Sequence, residues 1–190
     1  MRSLTLERMS ADRPDEQLVN AARAGDRAAF SALFARDRDL VYAYAYARLL
    51  NREDAEDAMQ DTFIRAYQSL GRLRGPGAWQ AWLMQITRNL CSDALRRKRV
   101  RRTEPVDPEW LDGGPSPEML LVTAERRREL NAAVEALPEK YRVPLLMRFA
   151  AGRTRREIAV ALGVPESTII GRMARAMRLL RRQLGEEWRG

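Results

Sequence analysis

Apolar residues recur along most of the chain at steps of three and four, and runs in which polar and β-branched residues alternate are few. This spacing places apolar side chains on one face of an α-helix and does not fit a sheet. In the first half it predicts a short helix over 15–24, ended by Gly25, and a long helix from Arg27 whose apolar stripe continues to Leu49. The pattern indicates an all-α protein.

A third helix is predicted after Asn51, which can cap a helix and is followed by acidic residues in the first turn. Its polar side chains, which are mostly acidic, fall largely on the face opposite its apolar residues: Glu56, Asp57, Gln60 and Asp61. After a glycine-rich loop over 71–77, tryptophan and aliphatic residues recur at helical spacing. This fourth helix runs into a basic segment, 96–102.

Proline and glycine are concentrated in residues 103–117, TEPVDPEWLDGGPSP. Neither a helix nor a central strand tolerates that composition, because proline lacks a backbone N–H and clashes with the preceding turn. We therefore expect a flexible linker over 101–118 between two small helical domains, 12–100 and 119–186. A chain of 190 residues is long enough for two such domains.

The second domain carries the pattern of a helix-turn-helix. Two helices are predicted over 124–137, before Pro138, and over 139–151. The sequence TRRE over 154–157 then matches a capping box, in which a threonine and a glutamate satisfy each other's backbone N–H groups, and it opens a short amphipathic helix. A turn over 163–165 leads to a long, arginine-rich helix, and this combination is typical of helix-turn-helix domains that bind DNA.

Lysine and arginine outnumber aspartate and glutamate by 34 to 26, which gives a net charge of +8. Such an excess is typical of proteins that bind polyanions. The arginines of the last predicted helix have scarcely any acidic partner, so a merely solvated helix explains them poorly. In a major groove the first turns of this helix would meet base edges, and its later arginines would meet phosphates. The candidate residues are Arg155, Arg156, Ser167, Thr168, Ile170, Gly171, Arg172 and Arg175.

The absence of histidine excludes a Ser-His-Asp or Cys-His catalytic arrangement and removes the commonest metal ligand. The single cysteine, Cys91, allows neither an internal disulfide nor a CxxC zinc site, and we expect it to be a small buried side chain. We expect no catalytic residue, no cofactor and no metal ion. No apolar run approaches the ~18 residues of a membrane span, and the N-terminal residues lack the apolar core of a signal peptide. The sequence therefore predicts a cytoplasmic protein without membrane insertion.

Two other features have more than one interpretation. The acidic cluster over 53–61 could hold a divalent cation, but its carboxylates lie on an open helix face without histidine, which favours a solvated or partner-binding face. Trp79 and Trp82 could stack on single-stranded bases. Their spacing with Leu83 and Ile86 favours packing in the core instead.

Several segments resemble one protein family. REDAEDAMQDTF over 52–63 is similar to region 2.2 of bacterial sigma factors of the extracytoplasmic-function (ECF) class, and AWLMQITRNL over 81–90 resembles regions 2.3 and 2.4. LPEKYR over 137–142 and the segment over 157–169 resemble region 4. The resemblance covers about 14–184 in order, with a proline-bearing linker where the family has one.

The resemblance implies a helical protein that is not an enzyme, that binds core RNA polymerase and directs it to promoters, and that responds to stress or another signal. Region 2.2 would bind the clamp helices of the β′ subunit through Asp57, Gln60 and Asp61, with Phe63 packing inward, and the β subunit would be a further contact. Region 4 would bind the −35 element through its helix-turn-helix. An anti-sigma factor is a further implied partner. The residues that would read and open the −10 element are Arg72, Arg74, Asn89, Asp93, Arg96 and Arg97.

Ile170 and Gly171 depart from the family pattern, in which a basic residue and a serine are frequent at these positions. Their side chains cannot make the same polar contacts, so the −35 sequence does not follow from relatives. An ordinary helix-turn-helix repressor or activator would explain 119–186 equally well, but it would not explain the region 2 segments. An enzyme acting on nucleic acid would need histidine or a cluster of catalytic carboxylates, and the sequence offers neither.

Overall fold

The computed structural model describes residues 15–101 and 117–185, and the chain is helical there apart from short connections. The first half contains α1 (Asp15–Arg23), α2 (Arg27–Leu49), α3 (Arg52–Ser69) and α4 (Trp79–Arg101), with short 3-10 helices at Leu70–Arg72 and Pro76–Ala78. The second half contains α5 (Pro117–Glu135), α6 (Glu139–Phe149), α7 (Arg155–Leu162) and α8 (Glu166–Leu184). The predicted all-α class is confirmed. The parts of the predicted domains and linker at 12–14, 102–116 and 186 lie outside the described residues.

Side-chain caps begin two helices of the first half. Asp26 accepts a hydrogen bond from the backbone N–H of Ala28 at 2.9 Å at the start of α2. Asn51 accepts one from the N–H of Asp54 at 2.8 Å at the start of α3, as the sequence predicts. Each cap satisfies a backbone donor that the first turn of a helix leaves unpaired. The start of each helix therefore follows from its local sequence.

Helix α5 begins at Pro117, earlier than Ala124, where the apolar pattern predicted the helix. Proline is tolerated in the first turn of a helix, because its missing N–H would have no intrahelical acceptor there. The proline that belongs to the expected linker therefore also opens the helix that follows it.

Helix α2 is buried on two sides. One side faces α1, α3 and α4, and the other faces α6 of the second half. Helix α7 packs against α4, which gives the two halves a second contact. The sequence predicted a single apolar stripe on α2, but Ala43, Tyr44 and Ala47 are buried as well. The buried apolar side chains of both halves thus form one continuous core.

Candidate functional site

The outward face of α3 carries the acidic and amide side chains singled out in the sequence. Asp57, Gln60 and Asp61 are exposed, while Ala58 and Phe63 are buried on the core side of the helix. Phe63 therefore packs inward, as expected. Because the core forms on the opposite side of α3, the three polar side chains are available to a partner.

Two apolar side chains continue along the exposed part of α3. Ile64 and Tyr67 are 53% and 50% exposed, although the sequence analysis did not single out Ile64. The ring of Tyr67 still contacts Phe30 edge-on, with ring centroids 4.9 Å apart. Exposed apolar side chains beside charged ones are a common feature of protein interfaces. The helix therefore presents a surface that is polar in its first turns and partly apolar in the next.

The connection between α3 and α4 is anchored to the core. Leu73 is buried, and the guanidinium of Arg23 donates to the carbonyl oxygen of Leu70 at 3.2 Å and to that of Leu73. Arg72 and Arg74, on either side of Leu73, are exposed. The loop thus presents two arginines on a backbone that is held in place.

Helix α4 carries the other residues that the resemblance assigns to the −10 element. Asn89, Arg96 and Arg97 are exposed, whereas Asp93 is half-buried and forms an ion pair with Arg96. The ion pair places the guanidinium of Arg96 beside the Asp93 carboxylate, one turn apart on the same helix. The last residue of the predicted basic segment, 102, lies outside the described residues.

Trp79 begins α4 and is fully buried. Its indole N–H donates to the Asp37 carboxylate at 2.8 Å. Burial raises the pKa of Asp37 above its ordinary value, and the hydrogen bond from Trp79 and the charges of Arg36 and Arg153 offset only part of that rise. The interpretation of Trp79 as a core residue is confirmed. Trp82 is partly buried beside it, with ring centroids 5.8 Å apart.

Helices α7 and α8 form the helix-turn-helix that the sequence predicts. Thr154 and Glu157 make both hydrogen bonds of the capping box at the start of α7. Gly163 ends α7 with a φ of 66°, in the left-handed region that glycine adopts without strain. Ile158 and Ile169 are fully buried in the shared core. The two helices are therefore fixed relative to each other by a capped start, a glycine turn and packed side chains.

The carboxylate of Glu157 keeps its charge at the start of α7. Partial burial acts to raise the pKa of Glu157, but hydrogen bonds from Thr154 and Arg153 hold it below its ordinary value. A negative charge at a helix N-terminus is favoured by the helix dipole. The polar groups around Glu157 thus stabilise the first helix of the motif.

Most of the candidate DNA-contacting residues of these helices lie on the surface. Thr168 and Arg172 are half-buried, and Arg172 lines an open cleft between the two halves together with Arg88 and Lys140. The exposed candidates are Arg155, Arg156, Ser167, Ile170, Gly171 and Arg175.

Metal ligands are not clustered in the described part of the chain. Over 15–101 and 117–185, no group of three or more histidine, cysteine, aspartate or glutamate side chains is arranged to hold a metal ion. Cys91 is buried, and burial raises the pKa of its thiol to about 11, so the thiol is protonated at neutral pH. Within the same ranges, no helix combines the length and the apolar composition that crossing a membrane requires.

Polar contacts between the two halves are a feature that the spacing of apolar residues does not predict. The signal was present in α2, where residues 40–47, LVYAYAYA, are apolar around the whole helix and so need partners on more than one side. Two hydrogen bonds cross the boundary: Arg142 Nε donates to the Ala47 carbonyl at 2.7 Å, and the Tyr46 hydroxyl donates to the Glu135 carboxylate at 3.0 Å. Two ion pairs also cross it: Arg48 Nε lies 3.0 Å from Glu139 Oε1, and Arg153 Nη2 lies 3.3 Å from Asp37 Oδ1.

Comparison with known protein families gives two matches, in the order that the sequence suggests. The family described as Sigma-70 region 2 matches residues 33–101, and the family described as Sigma-70, region 4 matches residues 127–180. The first match includes α3 and α4, and the second includes the helix-turn-helix. A helix-turn-helix regulator with an unrelated first domain does not account for the first match.

Comparison with individual proteins also shows similarity to ECF sigma factors. The chain is 34% identical over 169 residues to the ECF RNA polymerase sigma factor SigE of Mycolicibacterium smegmatis, an alignment covering 85% of this chain and 65% of that protein's length. It is 33% identical over 180 residues to the ECF RNA polymerase sigma factor SigM of Mycobacterium tuberculosis, covering 92% of this chain and 86% of that protein. Among solved structures, CnrH in complex with the cytosolic domain of CnrY superposes with a TM-score of 0.63 at 24% identity, over 90% of this chain and 96% of that one. This last likeness shows a shared fold.

Proposed function

The chain belongs to the ECF RNA polymerase sigma factors, the family that directs polymerase to specific promoters. We propose that it binds core polymerase through α3 and reads promoter DNA through two separate surfaces. A sigma factor is not an enzyme, because the polymerase carries out the chemistry. In this proposal the two surfaces belong to domains 12–100 and 119–186, joined by the linker 101–118. The work of the chain is therefore binding and positioning.

The observation that carries the proposal is the outward face of α3, formed by Asp57, Gln60 and Asp61 with Ile64 beside them. These side chains are exposed, and the core is built by the opposite side of the helix, so the fold does not need them. Family membership favours the clamp helices of the β′ subunit as the partner, with the β subunit as a further contact. The exposed polar groups would supply hydrogen bonds and charge complementarity, and Ile64 would supply apolar contact area.

We assign the −10 element to the anchored loop before α4 and to the outer face of α4. A base that leaves the DNA stack loses a few kcal/mol of stacking and pairing, and capture in a protein site offsets that loss. The loop arginines are suited to hold such a strand because their backbone is fixed by Arg23. The residues in this assignment are Arg72, Arg74, Asn89, Arg96 and Arg97, with Asp93 orienting Arg96.

We assign the −35 element to the helix-turn-helix. The first turns of α8 would face base edges with Ser167, Thr168, Ile170, Gly171 and Arg172. Arg155, Arg156 and Arg175 would contact phosphates, which add affinity and carry little sequence information.

An anti-sigma factor and a cytoplasmic location complete the proposal. CnrH, which shares this fold, was solved in complex with the cytosolic domain of CnrY. The direct test is run-off transcription with core polymerase, this protein and a promoter library. We expect transcripts from a defined subset of promoters. Failure to bind core polymerase, or transcripts that are independent of promoter sequence, would overturn the proposal.

The double variant Asp57→Ala, Gln60→Ala is expected to weaken binding to core polymerase about tenfold, the effect of losing about 1.4 kcal/mol of interface energy. Its thermal unfolding, followed by circular dichroism, should stay nearly unchanged because both side chains are exposed. The matched control is Asp39→Ala, Gln17→Ala, which removes the same two residue types from exposed positions on α2 and α1. A large loss of stability in the first variant, or equal binding losses in both, would contradict the assignment of this face.

Arg172→Ala is expected to lower initiation from promoters with an intact −35 element about tenfold, since a good arginine–guanine contact is worth about 1–3 kcal/mol. Run-off transcription on intact and scrambled −35 elements measures the effect, which should disappear on the scrambled templates. Arg38→Ala, at an exposed position on α2, is the charge-matched control and should initiate like the parent protein. If the parent protein were equally active on scrambled −35 elements, the assignment of α8 would be wrong.

A further inference from the structure

The outer face of α8 contains a small exposed apolar surface. Ile170 is 48% exposed, and Gly171 and Ala174 beside it are exposed as well. A Cβ atom placed on Gly171 would meet nothing within 4 Å, so no neighbouring group in the described residues requires a glycine there. Glycine destabilises the interior of a helix, and an exposed isoleucine side chain contributes no hydrophobic stabilisation. Packing among the described residues therefore does not explain this pair of residues.

The surroundings of this surface indicate that its partner is DNA. Ile170 and Gly171 lie in the first turns of α8, the part of a helix-turn-helix that enters the major groove. Ser167 precedes them by one turn, and the exposed Arg175 follows by one turn. A positively charged side chain next to an apolar contact surface is suited to hold the helix against the phosphate backbone while the apolar group faces the bases.

The chemistry of the major groove narrows the choice of base. Every base presents hydrogen-bond donors or acceptors there, but among the four bases thymine alone also presents a methyl group, at C5. Isoleucine has no donor or acceptor, so placing it over a polar base edge would leave that edge unpaired. Placed against a thymine methyl group, isoleucine leaves no polar edge unpaired at that contact and buries apolar surface. Gly171 removes the side chain that would otherwise keep the helix backbone away from the groove.

We propose that Ile170 reads the methyl group of a thymine in the −35 element, with Gly171 allowing the close approach that this contact needs. The inference rests on the proposed function, in which α8 binds the −35 element. The proposed contact explains why Ile170 and Gly171 stand where the family often has a basic residue and a serine. It also implies that promoters read by this protein require a thymine at one position of the −35 element.

Replacing single thymines by deoxyuridine tests the proposal, because deoxyuridine lacks only the methyl group. A −35 element is first selected from a randomised library by run-off transcription with holoenzyme. Each thymine is then replaced in turn. We expect one position at which deoxyuridine lowers initiation about fourfold, as burial of one methyl group predicts. In Ile170→Ala the same replacement should have no further effect.

One control variant and one further test variant complete this experiment. Val160→Ala removes an exposed β-branched side chain from α7 and should keep the full sensitivity to deoxyuridine. Gly171→Ala should lower −35-dependent initiation without lowering the thermal unfolding temperature, since alanine favours a helix more than glycine does. A loss of stability in Gly171→Ala would contradict the role given to the glycine.

The outcomes separate this inference from the function on which it rests. If scrambling the −35 element has no effect on the parent protein, α8 does not read DNA and both are wrong. If scrambling abolishes initiation but no deoxyuridine position matters, or if Ile170→Ala keeps the same sensitivity, only the thymine contact is wrong.

Discussion

Replacing Trp79 with alanine is expected to lower the free energy of unfolding by about 4 kcal/mol, the usual range for a buried tryptophan. The indole is fully buried, and its N–H donates to Asp37 at 2.8 Å. Alanine removes the ring contacts with Phe30 and Trp82 and takes a donor away from a buried carboxylate oxygen. Urea denaturation followed by far-UV circular dichroism measures the loss.

Two further variants separate packing from the hydrogen bond. Trp79→Phe keeps an aromatic ring but not the N–H, and we expect a loss of about 2 kcal/mol. Trp82→Phe, at the partly buried neighbouring ring, is the matched control, with an expected loss of about 1 kcal/mol or less. Equal losses in these two variants would show that the hydrogen bond to Asp37 contributes little.

The helices were predictable because their ends depend on neighbouring residues in the chain. Asn51, Thr154 and Gly163 mark the same helix ends in the sequence and in the structure. Pro117 was assigned only to the linker, although proline both interrupts helices and opens them. At that residue the local signal is compatible with two structures, so the sequence alone does not choose between them.

Contacts between distant segments were not predictable from spacing. Asp37 lies in the polar sequence RDRD over 36–39 and would be expected in water, yet it is buried against Trp79. The sequence places Arg142 in a motif of the family but gives no sign that it reaches Ala47. Periodicity shows which face of a helix is apolar and does not show which segment covers it.

The candidate site was only partly predictable, again because periodicity shows which face a residue lies on and not which segment packs beside it. The exposure of Asp57 and Gln60 follows from helical periodicity alone, because the apolar residues of α3 define the opposite face. The ion pair between Asp93 and Arg96 is also local, three residues apart, but the half-buried position of Asp93 depends on tertiary packing. The position of Arg172 in the cleft depends on how the two halves meet.

The contact between the halves has a consequence for promoter binding. Elements centred near −10 and −35 are about 25 base pairs apart, or about 85 Å along B-form DNA. A compact chain of this length has a radius of gyration of about 16 Å. Under the proposed function, the packed arrangement has to open before both surfaces can reach one promoter. Under the same proposal, the residues at the boundary would stabilise a conformation that differs from the one bound to DNA.

Arg142 is a buried residue of that boundary, and its guanidinium donates to backbone carbonyls on both sides. Its Nε donates to the Ala47 carbonyl at 2.7 Å, and its Nη1 donates to the carbonyls of Glu135 and Leu137, both at 2.6 Å. The Ala47 carbonyl belongs to the last turn of α2 and the Glu135 carbonyl to the end of α5, where a helix leaves C=O groups unpaired and its dipole favours a cation. The Leu137 carbonyl lies in the connection that follows α5. Burial lowers the pKa of Arg142, yet a guanidinium remains charged at neutral pH.

Arg142→Met is expected to lower the free energy of unfolding by about 3 kcal/mol, because two buried carbonyls and one partly buried carbonyl lose a charged donor. Methionine fills much of the same volume, so the loss measures the hydrogen bonds more than a cavity. Arg142→Lys keeps the charge but not the planar set of donors, and its stability should lie between those of Arg142→Met and the parent protein. Arg148→Met, at an exposed position on the same helix, is the control, and we expect a loss of about 0.5 kcal/mol or less in urea denaturation. If Arg142→Met lost no more than this control, other groups or water would have to satisfy the three carbonyls, and Arg142 would stabilise the boundary no more than an exposed arginine does.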